Sequence, residues 1–225
     1  MGIRENLIEI NRILPREVKL VAVSKTKPVG DILEAYNAGH RIFGENKAQE
    51  LITKQPLLPA DIQWHFIGHM QTNKVKYIAP FVSMLHAVDS PKLLKEINKQ
   101  ANKNDRVIDC MLQFHIGEED TKFGLDMDEA IEILESPWFK ELNNVEICGV
   151  MGMATYTDDM DQVRREFRYL KKVFTELKTR YFSTSNSFKE ISMGMSGDYM
   201  EAIEEGSTMI RVGSSIFGER FYPTN

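Results

Sequence analysis

The sequence predicts an α/β protein folded as a (β/α)8 TIM barrel, and three observations carry that expectation. Eight short β-rich runs recur along the chain, helical patterns separate most neighbours, and each run closes in a polar or glycine-rich cluster. Alternating strands and helices imply a parallel sheet, and eight strands allow that sheet to close on itself. The 225 residues match a barrel of roughly 250 residues, although length alone also suits a doubly wound sheet. No composition shift or low-complexity stretch divides the chain, so residues 1–225 are expected to form a single domain.

The chain opens with MGIRENLIEINRIL, an amphipathic helical pattern with Ile3, Leu7, Ile10 and Leu14 on one stripe. It lacks the continuous apolar stretch of a signal peptide. Strands are expected at 18–24, 41–44, 63–68, 81–88, 107–115, 145–153, 189–193 and 208–212. Between the fourth and fifth, Ser90-Pro91 opens a helix with a capping side chain and a proline at the first position. The clearest helix spans 158–181, where Val163, Phe167, Leu170, Phe174, Leu177 and Tyr181 fall at steps of three and four. Asp158, Asp159 and Asp161 crowd its start, where the helix dipole favours negative charge. The TSNS stretch at 184–187 reads as a surface loop.

Composition narrows the function classes. Hydrophobic residues make up 42% and charged residues 27%, enough for an ordinary buried core. The balance of 28 basic and 33 acidic side chains, without a basic block, argues against nucleic acid as a partner. Cys110 and Cys148 lie inside the apolar runs VIDCML and VEICGV, as buried free thiols do. No segment approaches the ~20 apolar residues of a membrane span. The expected compartment is the cytoplasm, with no membrane association.

The clusters that end the strands are VAVSKTKP, RIFGEN, WHFIGHMQTNK, HAVDS, QFHIGEEDTKFG, GVMGMATY, ISMGMSGD and IRVGSSIFGER. In a closed barrel all strand C-termini meet at one rim, so eight separate clusters become one pocket. MGMSGD (193–198) and RVGSS (211–215) have the glycines and helix starts that suit an anion. Barrels often bind phosphate with the loops after strands seven and eight. The plainer alternative is that Ser196 caps the helix expected over 197–204 and the glycines only make turns.

Lys25 follows Val21 and Val23 on one face of the first strand. Poor hydration disfavours the ammonium form and leaves an amine able to attack a carbonyl. A solvated lysine at a strand end is the alternative. Lys27 shares that parity but precedes Pro28 and is expected in solvent. Arg211 needs an acceptor, and Glu45 is a candidate ion-pair partner. Asn46 either lines a ligand site or caps a helix with a return contact from Gln49. His65, His69 and His115 match no compact zinc spacing, and no metal is expected.

At these stretches the chain closely resembles the pyridoxal phosphate homeostasis proteins, single-domain relatives of the alanine racemase N-terminal barrel. VAVSKTKP, FGEN, WHFIGHMQTNK, AVDS, GVMGMATY, SMGMSGDY and IRVGSSIFGER match in order across about residues 18–220. The pairing of SMGMSGD with VAVSKTKP is the specific feature. The resemblance implies a barrel of the PLP fold-type III kind that binds pyridoxal 5′-phosphate (PLP). Lys25 would carry it as an internal aldimine, Arg211 would face the pyridine nitrogen, and Asn46 would line the pocket. Ser196, Gly213 and Ser214 would hold the phosphate. The implied role is intracellular vitamin B6 homeostasis by a monomer or weak homodimer, with amino acids as further partners and no established turnover. Lys47 after FGEN, and the Phe114-His115 pair at the end of the fifth strand, depart from the family pattern.

Physical chemistry points the same way. PLP enzymes drain electrons into a protonated pyridinium, which an acidic partner maintains. Arginine is donor-only and keeps that nitrogen neutral. Alanine racemases tolerate this but place acid–base groups on both substrate faces, the second with help from a further domain. This chain ends at Asn225, directly after the expected barrel. A cofactor holder is therefore expected. The alternatives are a PLP-dependent enzyme with weak racemase-like activity, and a cofactor-free barrel that uses Lys25 as an aldolase-type amine.

Overall fold

A computed structural model describes residues 2–118 and 123–219 of the chain. Residues 119–122 of the QFHIGEEDTKFG cluster and Arg220 of the last motif lie outside the described residues. Every expected strand forms: β1 (Lys19–Val23), β2 (Ile42–Glu45), β3 (Gln63–Phe66), β4 (Met84–Val88), β5 (Ile108–Phe114), β6 (Val145–Gly152), β7 (Glu190–Ser192) and β8 (Met209–Val212). All pairs are parallel, and β8 returns to β1 with Lys19 opposite Met209 and Ala22 opposite Val212. The sheet is a closed barrel.

Helices fill the crossovers that parallel pairing requires. They are α1 (Ile3–Ile13), α2 (Val29–Asn37), α3 (Ala48–Lys54), α4 (Thr72–Ile78), α5 (Pro91–Lys103), α6 (Met127–Glu135), α7 (Met160–Arg180), α8 (Tyr199–Glu204) and α9 (Ser214–Phe217). Ser90 caps α5 by accepting from the Leu93 N–H. In α7 the acidic start resolves into a cap, with Asp159 accepting from the N–H groups of Asp161 and Gln162. Its buried stripe is Val163, Phe167, Leu170, Val173 and Leu177, while Phe174 stacks on Phe188 with centroids 5.0 Å apart. In α1, Leu7 and Ile10 are buried, and Asn6 Nδ2 donates to the Ile216 carbonyl at 2.9 Å. No helix among the described residues is long and apolar enough to cross a membrane.

Strand alternation separates two interiors. Outward residues such as Ala22, Phe43, Trp64, Leu85, Cys110 and Ile210 pack against the helices. Inward residues Val21, Met84, Met111, Cys148, Met151 and Met209 form a smaller cluster inside the barrel. Both cysteines are free and buried, and burial is the main cause that pushes the Cys148 thiol up to about 12. Polar side chains also enter the barrel and pair there. Near its N-terminal end Lys19 Nζ meets Glu190 Oε1 at 2.6 Å, and Thr208 Oγ1 donates to Glu190 Oε2 at 2.9 Å.

β6 carries the one shift in its pairing with β5, where Cys110 faces Ile147 but Met111 faces Gly149. The backbone of β7 closes on this point. A Cβ at Gly149 would lie 1.8 Å from the Glu190 carbonyl oxygen, so any side chain there must push two strands apart. Gly149→Ala is expected to lower unfolding stability by about 2–4 kcal/mol. Urea denaturation checks this, as a fall in midpoint at unchanged slope.

Candidate functional site

Lys25 stands half-buried at the start of the turn that leaves β1. The next residue, Thr26, has φ of 65°, a left-handed conformation costly for a β-branched side chain. The turn is clamped from outside the barrel. Lys54 Nζ, on α3, donates to the Ser24 carbonyl at 2.9 Å, and Glu50 Oε1 accepts from the Thr26 N–H at 2.6 Å. Lys54 Nζ also pairs with Glu45 Oε1 at 2.8 Å and Glu50 Oε1 at 2.6 Å, and Ser24 Oγ donates to Glu45 Oε1 at 2.7 Å. Glu45 is 0% exposed and Lys54 7%. Burial pushes the Glu45 carboxyl above its usual range, against the charge and hydrogen bond of Lys54. Glu45 Oε2 is buried without a hydrogen-bond partner among the described residues.

This cluster corrects the expected Glu45–Arg211 pair. Glu45 follows the inward Gly44 and so turns out toward α3, whereas Arg211 turns into the barrel. The solvated Lys27 is corrected too. Past the left-handed Thr26 its Nζ turns back to the carbonyls of Phe217, Gly218 and Glu219, at 2.9, 3.0 and 2.9 Å. Those bonds use its three donors and tie the β1 turn to the end of α9.

The two glycine-rich loops are joined to each other. Ser196 Oγ accepts from the Gly213 N–H at 3.1 Å, so it does not cap α8, whose N-cap position is Asp198. Gly194 has φ of 95°, and a Cβ there would lie 2.6 Å from the Ala202 Cβ, so only glycine lets this loop fold back on α8. At Gly213 a Cβ would lie 3.2 Å from the Val23 carbonyl oxygen, which places this loop beside the end of β1 and its lysine turn. Among the described residues the backbone N–H groups of Ser196, Gly197, Ser214 and Ser215 donate to no protein acceptor. Ser214 is exposed and Ser196 half-buried.

Arg211 is only 4% exposed. Its Nη1 donates to the Ser192 carbonyl at 2.8 Å and to Ser192 Oγ at 2.6 Å, and its Nη2 donates to the Gly152 carbonyl at 3.0 Å. Burial pushes the guanidinium down to about 10, with the Asp198 charge opposing. Behind it lies a contact chain that sequence reasoning missed. Ser192 Oγ is 3.0 Å from His86 Nδ1, and His86 Nε2 is 2.9 Å from His65 Nδ1. The available signal was parity, since His65 alternates with the outward Trp64 and Phe66. Burial pushes His65 down to about 3 and His86 well below its ordinary value.

Asn46 is half-buried at the end of β2 and does not cap α3, whose N-cap position is Lys47. Its side chain makes no hydrogen bond to a protein group among the described residues. Of the two departures from the family pattern, Lys47 is exposed and Phe114 is buried in the outer core, leaving His115 half-buried after β5. On the same rim His69 Nδ1 is 3.1 Å from Asp89 Oδ2, and its ring stacks on Phe123 with centroids 4.1 Å apart.

Comparison with known proteins matches residues 2–221 to the alanine racemase N-terminal domain family. The pyridoxal phosphate homeostasis protein of Aquifex aeolicus is 41% identical over 205 residues, covering 91% of this chain and 88% of that protein. Its human namesake is 39% identical over 214 residues, covering 91% and 77%. PipY of Synechococcus elongatus with PLP bound superposes with a TM-score of 0.87 at 34% identity, covering 96% of this chain and 100% of that one.

Two predictions follow from the buried charges and rings. Lys54→Met strands the Glu45 carboxylate and should cost about 3–5 kcal/mol of unfolding stability, much of it recovered in a Glu45→Gln, Lys54→Met double variant, as urea titration would read. His65 binds its proton more weakly folded than unfolded. Its contribution to stability is therefore complete above about pH 6.5 and is lost as pH falls toward about 3, at up to about 1.4 kcal/mol per pH unit. Unfolding free energies measured from about pH 7 down to about pH 5 should fall less steeply for His65→Gln than for wild type.

Proposed function

Because the chain belongs to the pyridoxal phosphate homeostasis proteins, on the alanine racemase N-terminal fold, we propose that it binds PLP at the C-terminal rim of its barrel. Its role is then intracellular PLP homeostasis, as a holder of the cofactor and not as an enzyme. The observation that carries this reading is the adjacency across the β8–β1 seam. Two mutually bonded loops with unclaimed N–H donors lie beside the end of β1, from which the Lys25 turn leaves. Donors of that kind fit a phosphate monoester.

PLP supplies an aldehyde that condenses with a primary amine and a ring that accepts electron density. Lys25 is the amine that the family motif assigns to that carbon, while the three donors of Lys27 are engaged by carbonyls. Ser196, Gly213 and Ser214 hold the phosphate, and Asn46 has an amide free for a ligand. Arg211 has both terminal nitrogens tied back to the protein and offers its Nε–H edge to the ring nitrogen. A donor there holds that nitrogen unprotonated, which favours retention over turnover.

A second reading, a PLP-dependent enzyme with weak racemase-like activity, draws on His69. A carboxylate on Nδ1 and a stacked ring fix its orientation, which leaves Nε2 available for proton transfer at the rim.

Borohydride treatment of the PLP-loaded protein, followed by peptide mass mapping, should place one reduced adduct on Lys25. An adduct on another lysine, or one that persists in Lys25→Ala, overturns the anchor. Arg211→Ala should keep the adduct but lose PLP about tenfold faster, the worth of one charge-assisted hydrogen bond. Ser196→Ala should weaken PLP affinity. Incubation with L-alanine in heavy water should give no sustained α-deuteration; turnover would favour the enzyme.

A further inference from the structure

We infer that Ser192, His86 and His65 form a buried positioning relay for Arg211, a hydrogen-bond chain of one polarity that sets the guanidinium edge offered to a bound cofactor. The inference rests on the PLP reading only for the identity of that cofactor. The chain itself runs from β3 through β4 and β7 to β8, across the inside of the barrel. None of its four members is more than 4% exposed.

The polarity follows from donor counting. Ser192 Oγ has one hydrogen and two lone pairs, and arginine can only donate. The 2.6 Å bond from Arg211 Nη1 therefore occupies a lone pair. Had His86 donated through Nδ1, the serine hydrogen would be left without an acceptor among the described residues, an unmade bond at a fully buried hydroxyl. With the serine donating to His86 Nδ1, each of the three internal contacts has one donor and one acceptor: His86 Nε2–H donates to His65 Nδ1, both rings are neutral Nε2–H tautomers, and the His65 Nε2–H ends the chain. Neutrality agrees with burial, which disfavours a second cation beside Arg211. A serine that donates forward is also a stronger acceptor behind. The relay, with the carbonyls of Ser192 and Gly152, stops the guanidinium from turning and leaves its Nε–H and one Nη2–H uncommitted among the described residues. Ser192 and His86 act through Arg211 and are positioning residues.

The test uses the full-length, 15N-labelled protein without PLP and then loaded with ring-15N PLP. In the PLP-free protein both histidines should show the neutral Nε2–H pattern, and the Arg211 Nε–H should exchange slowly with solvent. Ser192→Ala should speed that exchange about tenfold, the effect of one lost bond to a charged group, and should shift the ring-nitrogen signal of bound PLP. His86→Asn, whose amide oxygen takes the place of Nδ1, should keep the Arg211 exchange slow. An Nδ1–H tautomer at His86, or unchanged Arg211 exchange in Ser192→Ala, would overturn the relay. Failure of the wild-type protein to bind PLP would sink the proposed function while leaving the PLP-free result standing.

Discussion

Pairing of β8 with β1 closes the sheet, and that closure governs both the position of the rim and the direction of every side chain near it. An open sheet of the same strands would leave the RVGSS loop and the lysine turn at opposite edges. Closure brings Gly213 against the Val23 carbonyl, so the anion-type loops and the candidate anchor become neighbours. It also buries the barrel interior, where polar groups that alternation sends inward are stable when partnered.

The rim is consequently braced from two sides. Outside the sheet, Lys54, Glu45 and Glu50 grip the backbone on both sides of Lys25 and hold Thr26 in a conformation it would not choose alone. Inside, carbonyls of β6 and β7 and the Ser192 hydroxyl grip Arg211. Buried charge pairs are weak contributors to net stability, yet breaking one is costly. Such pairs suit a site that must keep its geometry more than one that must be maximally stable.

That bracing bears on the choice between holder and catalyst. With PLP bound as proposed, Arg211 would be a donor-only partner of the pyridine nitrogen, which weakens the electron sink without by itself forbidding turnover. Among the described residues the rim also carries the His69–Asp89 pair, which follows β3 and β4. Under the proposed reading, these groups serve oriented retention of the cofactor.

Strand number, the main helices, the rim clusters and the pairing of VAVSKTKP with SMGMSGD were all legible in the sequence, because each is a local pattern of apolar period or motif. Lys25, Ser196, Gly213 and Arg211 were legible as strand-end positions for the same reason. What the tertiary structure alone decided is which groups meet. Arg211 takes Ser192 and Gly152 in place of Glu45, because a single residue of strand parity sends Glu45 to the other side of the sheet. Lys27 finds carbonyls about 190 residues away, and His86 finds Ser192 across the barrel. Local sequence sets the face of each side chain, but only closure of the sheet sets its opposite number.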